Sequence, residues 1–105
     1  MDSVMENAMA TFDEEIEKAK AKLNGAEANM DKAEAALQAA REAYDECALT
    51  GKGKVDELLA RVTRSESKRD LRTMEYQYQF GWLAALEHMQ FLLQMEFDAE
   101  EATKQ

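Results

Sequence analysis

The chain has 105 residues, 22 Asp and Glu against 13 Lys and Arg, a formal charge of -9, no Pro, four Gly and 18 Ala. That length suits one domain, and average usage would supply about five Pro, the strongest helix breaker. Collagen-like, disulfide-rich and typical all-β chains are excluded, and the acidic balance argues against generic nucleic-acid or anionic-membrane binding while admitting a basic partner.

The first predicted element is a helix over about 3–49. Apolar residues recur at Met5, Met9, Phe12, Ile16, Ala19, Leu23, Ala26, Met30, Ala33, Leu37, Ala40, Tyr44 and Cys47. The 4-3 spacing never slips, and a 3.5-residue period marks left-handed helix packing. One column of this seam is large and the other mostly Ala, which favours a close antiparallel pair over a leucine zipper. Ser3 and Glu6 fit a capping box at its start. Asn24-Gly25 is the one interruption: Asn24 with Glu27 could cap a new helix and give a three-helix bundle. The unbroken register favours continuity.

Residues 50–54, Thr-Gly-Lys-Gly-Lys, read as a loop. Asp56 and Glu57 then fall in a first helical turn, where the helix dipole favours acids. The second predicted helix covers about 55–102. Its first part is sparsely apolar, with Val55, Leu58, Leu59 and Val62 followed by a polar run. From Met74 to Phe97 it is apolar almost all round, the pattern of a helix covered on all sides. A two-helix hairpin covers one side only. The expected architecture is therefore all-α, a long antiparallel helical hairpin or an elongated three-helix bundle in one domain spanning 1–105. It would dimerise through 74–97 into a helical bundle. Tyr76, Tyr78, Phe80, Trp82, Leu86, Met89, Phe91 and Leu93 are the candidate interface side chains, for a second copy or a different protein.

Charge is segregated along the chain, with a net -7 over 1–50, +3 over 51–72 and -5 over 73–105. The basic stretch holds Arg61, Arg64, Lys68, Arg69 and Arg72, expected chiefly to pair with acids of the first helix. A nucleic-acid contact is the sharper alternative. Asp13, Glu14, Glu17, Glu27, Asp31 and Glu34 are candidate partner-binding carboxylates, able to occupy a groove built for phosphates.

No catalytic constellation, metal site or cofactor motif is expected. His88 stands alone and reads as a packed or interface histidine, with no zinc spacing around it. Cys47 lies on the seam beside Glu46, an unfavourable setting for a nucleophile. Gly51-Lys52-Gly53-Lys54 lacks the spacing of a phosphate loop. The lone Cys, the absence of a signal-peptide pattern after Met1-Asp2-Ser3 and the longest apolar run of the second half being only Trp82–Leu86 predict a soluble cytoplasmic protein.

The stretch Tyr78-Gln79-Phe80-Gly81-Trp82-Leu83-Ala84-Ala85-Leu86-Glu87 resembles the closing helix of small phage and mobile-element proteins. The acidic helical profile of residues 1–73 is similar to that of small phage-borne inhibitors, including anti-CRISPR proteins. The resemblance implies a non-enzymatic inhibitor that docks on a basic nucleic-acid enzyme, such as a Cas nuclease, and blocks its nucleic-acid surface. It covers about ten residues with an unspecific pattern and carries over no individual site residue. The alternatives are a structural coiled coil or phage assembly protein acting by self-association, and a nucleic-acid adaptor using the stretch 52–72.

Overall fold

A computed structural model describes residues 2–104. Two helices make up the fold, α1 (Asp2–Thr50) and α2 (Val55–Thr103), joined by a short loop into an antiparallel helical hairpin. No strand occurs among the described residues. α1 passes through Asn24-Gly25 without a break, so the three-helix alternative is not adopted. Space explains part of this: a Cβ built at Gly25 would meet nothing within 4 Å, and a solvent-facing Gly costs a helix only about 1 kcal/mol. α1 already includes Ser3, so the expected capping box lies inside the first turn rather than ahead of it.

The loop is built from its glycines. The Gly51 amide donates to the Cys47 carbonyl at 2.8 Å with φ at +70°, the left-handed residue that closes a helix C-terminus. The Thr50 hydroxyl donates back to the Glu46 carbonyl at 2.8 Å. Gly53 has φ at +106°, which a side chain would strain. The Leu58 amide then donates to the Lys54 carbonyl, opening α2, with Asp56 and Glu57 in its first turn.

The chain forms two compact units, residues 1–24 with 78–105, and residues 25–77. In the first, the core is Ile16, Ala19 and Leu86, with Phe12 and Leu83 packed against it. An antiparallel hairpin turning about Lys52 would by residue count alone set Ile16 opposite His88. Ile16 instead shares its cluster with Leu86, and His88 is exposed. In the second unit Leu37, Ala40 and Val62 form the core, with Tyr44 against them. Ala26, Ala33 and Cys47 are also buried there.

The α1 seam is oriented as its spacing predicts. Met5, Met9, Phe12, Ile16, Ala19 and Leu23 in the first unit are all buried or half-buried. So are Ala26, Met30, Ala33, Leu37, Ala40, Tyr44 and Cys47 in the second. Among the described residues the large buried apolar side chains are Ile16, Leu37, Val62 and Leu86. Each contributes on the order of 2 kcal/mol by burial, so this is a thin core.

Candidate interaction surface

α2 has an inward seam that its hydropathy conceals. In the first unit the buried or half-buried residues include Gln79, Leu83, Leu86, Gln90, Leu93, Phe97 and Glu100. In the second they include Leu58, Val62, Ser65, Arg69, Arg72 and Tyr76. Each set keeps the 4-3 spacing of a helix-packing seam, yet polar side chains recur in it. The Gln90 amide donates to the Asp13 carboxylate in the first unit. The Gln79 Oε1 atom is buried with no hydrogen-bond partner. Arg69 and Arg72 are long enough to lay their stems along the seam and keep their charged ends near water.

The opposite face of α2 is more apolar than this seam and is open. In the first unit Tyr78 is 69% exposed, Phe91 60%, Phe80 56%, and Trp82 45%, with Met89, Leu92 and Met95 about equally open. Tyr78, Gly81, Ala85, His88, Leu92 and Met95 are spaced 3-4-3-4-3 and are all exposed. At 100° per residue they form one stripe, flanked by Trp82 and Met89. Of the eight side chains expected at an interface, Tyr78, Phe80, Trp82, Met89 and Phe91 lie exposed. The other three turn inward: Leu86 is buried at 5% exposure, and Tyr76 and Leu93 are half-buried on the seam. The all-round apolar pattern hid this division. The period of the inward seam becomes visible only once Gln79 and Gln90 are admitted to it. Gly81, Leu92 and Met95 were not among the interface candidates, and His88, expected as a packed or interface histidine, is exposed on the same stripe.

The charged candidates behave differently from one another. Arg69 Nε donates to Asp70 at 2.7 Å and its Nη1 to Glu34 at 3.3 Å. The Asp70 bond first, then the Glu34 bond, raise the guanidinium pKa further. Arg72 is bound to Glu75 at 2.9 Å, and Arg41 of α1 reaches Glu66 at 3.7 Å. Pairing across the helices therefore exists for Arg69, as the charge pattern suggests. Arg61, Arg64 and Lys68 stay exposed with no ion pair among the described residues. Lys68 and Arg72, with Lys32, Asn29 and Ser65, line a groove of about 130 Å³ beside Ala33 and Ala36. Small side chains on both helices leave that space.

The six candidate carboxylates are all exposed. Asp13 accepts from Gln90, Glu17 pairs with Lys20 at 3.5 Å, and Glu34 is held by Arg69. Glu14, Glu27 and Asp31 form no ion pair among the described residues. Asp13, Glu14 and Glu17 belong to the first unit and Glu27, Asp31 and Glu34 to the second.

Cys47 is buried. No group of three or more His, Cys, Asp or Glu that could hold a metal ion occurs among the described residues, and neither helix is long and apolar enough to cross a membrane. No family model, curated protein or solved structure matches the chain.

Proposed function

We propose that this chain is a binding protein rather than a catalyst, and that it self-associates through the open face of α2 between Tyr78 and Met95. The observation that carries this reading is the cluster of Tyr78, Phe80, Trp82, Met89, Phe91, Leu92 and Met95, seven large apolar side chains about half exposed or more within eighteen residues. Contiguous apolar patches of this kind mark interaction sites, and aromatic residues and Met are enriched at interface centres. The thin core adds a reason, because this face holds seven large apolar side chains against the four that are buried in the described residues.

A second reading rests on the unpaired acids. Glu14, Glu27 and Asp31 offer carboxylates to a basic surface, in keeping with an inhibitor that docks on a nucleic-acid-binding protein and excludes its nucleic acid. Affinity purification from the host would then recover such a protein, and the complex would weaken with salt. Recovery of the chain with itself alone rejects this reading and leaves the first intact.

The first reading is tested by light scattering. The unmodified protein is expected at twice the chain mass, and Trp82→Asp at the chain mass. An unmodified protein that stays at the chain mass up to about 100 μM, far above a micromolar Kd, overturns it.

A further inference from the structure

The open face of α2 has an order that selects its occupant. Tyr78 and His88 carry rings, and between them stand the two small residues Gly81 and Ala85. The same 3-4 spacing continues through Leu92 and Met95, both exposed. From Tyr78 to His88 the sizes thus run ring, small, small, ring. The series is a palindrome about residue 83.

We infer that the occupant is a second copy of this chain, with the two α2 helices antiparallel and their two-fold axis at the level of residue 83. This rests on the self-association proposed above and specifies its register. Gly81 then faces the partner's Ala85 and Tyr78 the partner's His88. Small residues meet at the centre, where the backbones come closest. A built Cβ at Gly81 meets nothing within 4 Å, so this glycine answers no need inside the chain itself. Trp82 falls beside the axis and meets its own copy.

Area agrees with this arrangement. Half-exposed aromatic and large aliphatic side chains offer on the order of 100 Å² each, so seven offer roughly 700 Å² per chain, near the ~800 Å² per partner of a stable interface. A parallel pair would align the helix dipoles, whereas the antiparallel pair opposes them.

Cysteine pairing tests the register in the full-length chain. In a Cys47→Ala background, Tyr78→Cys and His88→Cys are made separately, one of them tagged to give the mixed species its own mass. Mild oxidation of the mixture is expected to yield the mixed disulfide at least about tenfold over either same-variant disulfide. Positions 78 and 78 of two antiparallel chains stand about 15 Å apart, beyond disulfide reach. Gly81→Cys with Ala85→Cys repeats the test should loss of the Tyr78 ring weaken association. Same-variant disulfides from a protein that is dimeric, or no mixed disulfide from either pair, overturn the register while self-association stands. A monomeric unmodified protein overturns both.

Discussion

In the first unit, the side of α2 packed against α1 carries Gln79, Gln90 and Glu100 among its seven seam residues, while the side facing water carries Tyr78, Trp82, Met89, Leu92 and Met95. Burial and hydropathy run opposite to the usual rule. On the inward side Gln90 reaches the Asp13 carboxylate of α1, and long polar side chains can lie along a seam and reach out of it. The outward side has no such explanation within one chain. Large apolar groups on a helix face contribute only when something covers them. The contrast teaches that the polar side of a helix is not necessarily its wet side, and that two seams at the same period can share one helix.

Truncating one leucine on each side of α2 gives the largest expected effects. Leu86→Ala empties a buried site and should cost about 2–5 kcal/mol, unchanged when the protein is diluted. Leu92→Ala, on the open side, should cost stability only at concentrations where copies associate. Thermal melts over a dilution series separate the two. Equal, concentration-independent losses would show that the outward side needs no partner.

A smaller effect is expected at Gln79. Its buried, unpartnered Oε1 carries a desolvation cost of about 1–3 kcal/mol, and Met fills a similar volume without it. Gln79→Met should therefore raise the urea midpoint. A lowered midpoint would mean that the polar group serves the seam rather than burdening it.

The smallest is Gly25→Ala, expected to stabilise α1 by about 1 kcal/mol, since nothing stands within 4 Å of the added methyl. Mass by light scattering should not change. A loss of stability would show that the chain needs a weak point there.

Legibility from sequence differed sharply between the helices. The α1 seam was readable residue by residue, because Ile16, Leu23, Leu37 and the Ala column keep one period with no competing apolar face. The turn was readable from Gly51 and Gly53, whose positive φ values few other residues tolerate. On α2 the same method assigned Leu86, Leu93 and Tyr76 outward together with Tyr78 and Trp82. With apolar residues on every side, hydropathy alone does not tell which stripe a neighbouring helix covers. Likewise the basic stretch was visible as charge, but the division of Arg69 and Arg72 from exposed Arg61, Arg64 and Lys68 depends on which positions face α1.

By itself the sequence determined two long helices, their joining loop and the contact face of α1, because Pro absence, heptad spacing and paired glycines act locally. Only the tertiary structure decided the face of α2. That choice depends on register against α1, a relation between residues distant along the chain. It turns Gln79, Gln90 and Arg69 inward and leaves Tyr78, Trp82 and Met89 in the open.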